Sequence, residues 1–179
     1  MALSSRKYLF WIPFLLIAFF GGLFLQRLLY PSDNLKPSQM AGRSIPEFTL
    51  PPGIAGQPPL ISAKLRDGKP KLINIFASWC VPCAAEAKEL EALRSAGIPV
   101  YGIAIRDTPE DLAKFFAEHG NPFIVVGSDR ESAVQLALGS SGVPETFIID
   151  GKGVIRRQIQ GVITAAMVPQ IVAEMRGMQ

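Results

Sequence analysis

The 179-residue sequence predicts an α/β domain with a mixed sheet and helices on its faces, preceded by one N-terminal transmembrane helix. Three observations predict it. The apolar runs Lys71–Ala77 and Val100–Ile105 alternate with helix-patterned stretches, as strands buried on both faces do. Two β-rich runs, Thr146–Ile149 and Val154–Ile159, are joined by Asp150-Gly151-Lys152-Gly153, a hairpin signal. Finally, Tyr8 to Leu25 is an apolar stretch of 18 consecutive residues without a charge, about the length that crosses a bilayer.

The apolar stretch ends in Leu25-Gln26-Arg27-Leu28-Leu29-Tyr30, bulky where a cleavage site needs small residues, so it reads as an uncleaved anchor with Pro13 at most kinking it. Residues 1–30 are therefore expected to be a membrane anchor with basic flanks, meeting lipid through residues 8–25. Residues 31–44, which hold the Pro/Ser/Asn/Gln-bearing stretch Pro31–Gly42, form a linker, and 45–179 form the folded domain. Arg6 and Lys7 face Arg27, Lys36 and Arg43 across the stretch; the denser N-terminal cluster favours a cytoplasmic N-terminus.

Hydrophobic residues make up 49% of the chain and charged ones 18%, which excludes intrinsic disorder, and two cysteines are too few for a disulfide scaffold. Arg6, Lys7 and Arg27 account for the net charge of +3, leaving Pro31–Gln179 neutral. No basic patch marks a nucleic-acid partner.

The elements follow in order. Ile45–Leu50 is a short edge strand ended by Pro51-Pro52-Gly53, and Leu60–Leu65 a second short strand. After the Lys71–Ala77 strand, Ala84–Leu93 has Ala87, Leu90 and Leu93 at helical spacing and stops at Gly97-Ile98-Pro99. Val100–Ile105 is a strand. Thr108-Pro109-Glu110-Asp111 supplies an N-cap, a first-turn proline and acids for a helix closing at Gly120. Phe123–Val126 reads as a strand and Arg130–Leu138 as a helix; after the hairpin, a last helix starts at Thr164 or Val168 and runs to Met175.

Both cysteines lie in Trp79-Cys80-Val81-Pro82-Cys83, where a buried strand hands over to a helix. Unpaired N–H groups at a helix start favour a thiolate at Cys80, while Cys83 lies one turn further in and is more shielded. This spacing lets the two sulfurs bond across one turn, so the pair can alternate between dithiol and disulfide. Pro82 suits a first helical turn because it has no N–H that needs a partner. The exposed Cys80 is expected to attack and Cys83 to resolve. Zinc needs about four ligands, whereas the chain offers two cysteines and one histidine, His119, which is read as complementing a helix C-terminus. Haem attachment would need histidine where Ala84 stands.

Phe76-Ala77-Ser78-Trp79-Cys80-Val81-Pro82-Cys83 resembles the active-site segment of thioredoxin-fold proteins, and Gly142-Val143-Pro144-Glu145-Thr146-Phe147-Ile148-Ile149-Asp150 resembles their cis-proline loop and following strand. The resemblance spans about Ile45 to Arg176 and implies a thioredoxin-like three-layer sandwich. It further implies a cis residue at Pro144, preceded by Val143, facing the disulfide and helping to hold the substrate chain. With Pro144-Glu145-Thr146-Phe147 after Gly142-Val143, Glu86 three residues past Cys83 and an N-terminal anchor, the chain is most similar to the DsbE/CcmG type of membrane-tethered thiol:disulfide interchange protein in cytochrome c biogenesis. Its Leu138–Pro144 loop departs from that type's Gly-x-Gly-x-Pro spacing. That subfamily implies reduction of disulfides in apocytochrome c before haem attachment, recharging by a membrane thiol-reductant carrier, and a domain facing the periplasm from the inner membrane. No metal or diffusible cofactor is required, because the Cys80–Cys83 pair is itself the redox group.

Residue chemistry bears separately on the direction of electron flow. Val81 and Pro82 carry no charge, and a carboxylate at Glu86 opposes a nearby thiolate, so the reading is a reductant; the competing reading makes Glu86 a solvated helix residue. Glu145 is read as contacting substrate or a titrating thiol, or as a surface acid. Trp79 is expected to shield the disulfide and offer apolar contact, and Lys88, Glu89 and Glu91 to form the wet helix face. Two alternatives share the cysteines: a thiol peroxidase of the same fold, and a copper-binding assembly module.

Overall fold

The computed structural model describes residues 5–29 and 40–178, with side chains in the first stretch described for residues 11–26. The chain divides between Lys36 and Pro37 into two compact units. The first contains α1, Ser5–Leu29, with Pro13 inside it. Its large apolar side chains, among them Trp11, Phe14, Ile17 and Phe24, are exposed. Among the described residues, no helix is long and apolar enough to cross a membrane. The side chains of Tyr8–Phe10, Arg6, Lys7 and Arg27, and the linker residues 31–39, lie outside the described residues.

The second unit is built on β3 (Lys71–Phe76), β4 (Val100–Ile105), β5 (Val126–Asp129), β6 (Glu145–Ile149) and β7 (Ile155–Gln160), in sheet order β5-β4-β3-β6-β7. β3, β4 and β5 are parallel, whereas β6 runs antiparallel to both neighbours. This is the expected mixed sheet. Every residue of β3 is buried, as its nearly continuous apolar run predicts, and the burial extends to Lys71 and Asn74. Helices α2 (Val81–Ser95), α3 (Pro109–His119), α4 (Ala133–Ala137) and α5 (Val168–Arg176) complete the domain, with α2 touching both α3 and α5. Below the strand-to-helix junction, Phe76 stacks on Phe123 at 4.6 Å between ring centres and lies 5.9 Å from both Phe115 and Phe116. Such pairs add about 0.5–1.5 kcal/mol each beyond area burial.

Several boundaries differ from the sequence reading, for local reasons. The Ile45–Leu50 strand shortens to β1, Thr49–Leu50, because Ile45 donates instead to Gly153 O at 2.9 Å. Leu60–Leu65 is strand only in β2, Leu60–Ile61; Ser62 then turns the chain into a 3-10 helix, its hydroxyl accepting from Phe48 N–H and donating to Glu47. The strand expected at Phe123–Val126 lies three residues later as β5. Phe123 belongs to the aromatic cluster, and the polar Gly-Ser-Asp end of β5 is extended because it pairs with β4. Gly127 is required there: a Cβ would meet those of Leu50 and Leu60 at 2.9 Å. The Arg130–Leu138 helix shrinks to α4, whose start is held by the Asp129 carboxylate accepting from Ala133 and Gln135 N–H.

The end of the sheet away from the cysteines is closed by two turns and a buried amine. Lys71 Nζ donates to Leu65 O, Lys69 O and Asp67, and Gly68 N–H donates to Gly151 O at 3.0 Å. A Cβ on Gly151 would lie 2.2 Å from the Gly68 carbonyl carbon, so the two backbones meet where no side chain fits. Gly151→Ala is expected to cost about 1–3 kcal/mol, read as a lower urea midpoint at unchanged slope; an unmoved midpoint would show that the turns separate freely.

Candidate active site

The site forms where β3 ends and α2 begins. Cys80 N–H bonds back to Ala77 O at 3.2 Å, making a tight turn with Ser78 and Trp79 at its corner. Cys80 is the N-cap of α2, with Pro82 in the first turn, and its sulfur accepts from Cys83 N–H at 3.2 Å. The helix therefore starts at Val81, three residues before the apolar periodicity reads it. Cys80 and Cys83 are joined as a disulfide, S–S 2.06 Å. The sequence expected an exposed Cys80, but the two cysteines are 5% and 3% exposed. Trp79 and Val81, 56% and 80% exposed, stand on either side. Access thus runs through an apolar rim.

The second strand of the site is set by register. Ile75 pairs with Glu145 and Asn74 with Thr146, so the cis peptide Val143–Pro144 lies one step further on, at the end of the sheet that carries Cys80. Val143 is half-buried against the core cluster that contains both cysteines. Gly161 N–H donates to Pro144 O at 3.0 Å. This joins the loop after β7 to the site.

Glu86 is not solvated: it is 0% exposed. Its Oε1 accepts from Asn74 Nδ2 at 2.8 Å and its Oε2 from Ile163 N–H at 2.9 Å. Burial pushes the carboxyl up to about 7; the two hydrogen bonds pull it down, and nearby Glu89 raises it further. Asn74 Nδ2 also donates to Thr146 Oγ1 at 3.0 Å, so β3, β6, α2 and the 161–163 loop converge on one carboxyl. Glu145 is likewise buried rather than a surface acid. It accepts from Ser141 N–H at 3.1 Å and from Gln158 Nε2, bracing the loop before Pro144 instead of pointing outward. Glu89 is only partly wet, since its Oε2 is buried without a hydrogen-bond partner among the described residues.

Sequence reasoning missed Asn74, Thr146, Ile163, Ser78 and Asp107. Asn74 had a signal, being the polar residue inside an apolar strand; Ile163 acts through its backbone and had none. Beside Trp79, a cleft of about 400 Å³ opens between the β4–α3 connection and α3, with Arg106, Asp107, Lys114 and His119 among its walls. No group of three or more His, Cys, Asp or Glu side chains among the described residues could hold a metal ion.

A cysteine pair capping a helix at the end of a buried strand, level with a cis-proline just before the neighbouring strand, is the site of a thioredoxin-fold thiol:disulfide oxidoreductase. A family model described as Redoxin matches residues 40–174. The chain is 39% identical over 158 residues to thiol:disulfide interchange protein HelX of Rhodobacter capsulatus, covering 88% of this chain and 89% of that protein. It is 40% identical over 161 residues to thiol:disulfide interchange protein DsbE of Pseudomonas fluorescens biotype C, covering 88% and 87%. The crystal structure of a thiol:disulfide interchange protein of the thioredoxin family from Chlorobium tepidum matches with a TM-score of 0.61 at 25% identity, over 74% of this chain and 94% of that one. The chain belongs to the Redoxin family and, within it, to the thiol:disulfide interchange proteins of the DsbE and HelX type.

The Glu86 carboxyl titrates near 4.5 when unfolded and near 7 when folded. Between those values the folded chain keeps a proton that the unfolded chain has lost, so stability falls as pH rises from about 4.5 to about 7 and then levels off. The contribution is on the order of 3 kcal/mol. Glu86→Gln is expected to flatten that part of the stability profile of the oxidised protein, measured by urea unfolding across pH; an unchanged slope would show that Glu86 ionises freely.

Proposed function

We propose that this protein is a membrane-tethered reductase of protein disulfides, facing the periplasm, with apocytochrome c as its substrate. The single observation that carries the direction of electron flow is the buried Glu86 carboxyl, one helical turn past Cys83. In the dithiol state, negative charge there opposes a thiolate on the pair, and Val81 and Pro82 offer no compensating charge. Strong disulfide oxidants owe their potential to a stabilised thiolate, so this site favours giving electrons.

The reaction balances as a two-electron exchange. The Cys80 thiolate attacks one sulfur of the substrate disulfide, forming a mixed disulfide and releasing the other substrate sulfur, which takes a proton. Cys83 then gives up its proton and attacks Cys80 Sγ. The Cys80–Cys83 disulfide forms and the second substrate thiol leaves. With its carboxyl near 7, Glu86 is matched to accept the Cys83 proton at neutral pH. Trp79, Val81 and the Val143–Pro144 peptide frame the path by which an extended chain reaches Cys80. The oxidised pair is reset by a dithiol carrier in the membrane.

The tether reading rests on the charge-free Tyr8–Leu25 stretch and on the outward-facing apolar side chains of α1. The substrate reading rests on the resemblance to the cytochrome c biogenesis type carried by Pro144-Glu145-Thr146-Phe147 after Gly142-Val143, together with Glu86 and the apolar N-terminal stretch. Cys83→Ser leaves Cys80 as the sole sulfur nucleophile and is expected, in the native host, to accumulate a covalent complex with c-type cytochrome precursors, identified by mass spectrometry after non-reducing separation. Capture of other proteins to the exclusion of these precursors would overturn the substrate; no complex would overturn the exchange.

A further inference from the structure

We propose that Asp107 is a positioning residue for the attacking sulfur, acting through Ser78. Asp107 lies two residues past the end of β4 and is buried. Both its carboxylate oxygens reach across to the neighbouring loop: Oδ2 accepts from Ser78 N–H at 2.8 Å, and Oδ1 accepts from the Ser78 hydroxyl. Ser78 is the first corner residue of the Ala77–Cys80 turn, so the clamp holds the segment that presents Trp79 and Cys80.

Three features argue for this role over a helix-capping one. The cap of α3 is Thr108, whose Oγ1 accepts from Asp111 N–H, so Asp107 is not used by its own helix. The residue before it is also fixed. Arg106 has a φ of 50°, in the left-handed region, and is held by its N–H to Asp129 O and its Nε to Ser132 Oγ at 3.1 Å. The acid is thus pinned on both flanks. Finally, a two-point clamp on one residue fixes orientation as well as distance, which is what a loop carrying a half-exposed Trp79 next to a nucleophile needs. Asp107 touches neither sulfur nor substrate. Its effect passes through the Ser78 turn.

The inference rests on Cys80 being the attacking sulfur. The test uses the full chain carrying Cys83→Ser and a synthetic peptide with an intramolecular Cys-x-x-Cys-His disulfide, following mixed-disulfide formation. Asp107→Ala is expected to slow it about tenfold, with the pH profile of Cys80 alkylation by iodoacetamide unmoved. Asp107→Asn is expected to recover to within about threefold, because its Oδ1 still accepts from Ser78 N–H while its amide donates to the Ser78 hydroxyl. A folded Asp107→Ala protein with an unchanged rate would overturn the proposal. So would an Asp107→Asn rate as low as that of Asp107→Ala, or a shifted alkylation profile, since either assigns the effect to charge. If Asp107→Ala does not fold, Ser78→Ala removes one arm of the clamp and must still slow exchange; an unchanged rate there overturns the proposal. Failure of the Cys83→Ser parent to form any mixed disulfide sinks the exchange reading itself, and this inference with it.

Discussion

One carboxyl group binds the site together. Glu86 is held by the Asn74 amide and the Ile163 N–H, and Asn74 reaches on to Thr146. Four segments are therefore tied together around a single buried acid: the strand before the cysteines, the helix after them, the loop beyond the hairpin and, through Asn74, the strand after the cis-proline. A buried polar group must be satisfied where it stands, and the partners it recruits cannot shift without cost. The burial that makes the acid need these partners also raises its carboxyl to about 7, against the downward pull of the two hydrogen bonds.

The second acid near the cysteine loop works by geometry. Glu145 braces the 139–142 loop and β7 from within. With Pro144 following that loop, and Gly161 bonded to Pro144 O, the two walls of the site are tied to each other as well as to the sheet. The sulfurs are nearly buried while Trp79 and Val81 project outward, so a partner chain meets apolar surface before it meets sulfur. An apolar rim of this kind suits an unfolded or extended polypeptide more than a small polar molecule.

Much of the fold was legible because burial leaves a mark on composition. β3 and β4 are read from nearly continuous apolar runs, α3 from its cap and first-turn proline, and the β6–β7 hairpin from its turn. β5 lies later than its apolar residues suggest because pairing with β4, not local preference, extends its polar Gly-Ser-Asp end, and α4 is shorter than its pattern because Asp129, from outside the helix, sets its start. The cysteine pair and Pro144 stood out as motifs. The surroundings of Glu86 and Glu145 did not, since an acid in a helix or after a turn reads as solvated until its neighbours are known.

By itself, then, the sequence determined the mixed α/β class, the place of the redox pair at a strand-to-helix junction and the apolar N-terminal stretch, each being a property of adjacent residues or of their periodicity. Only the tertiary structure decided that Glu86 and Glu145 are buried, that Ile163 lends its backbone N–H, and that Asp107 clasps Ser78 from 29 residues away. These depend on contacts between segments that the sheet order brings side by side. No local pattern encodes such contacts, because the energy of a buried polar group is set by what surrounds it.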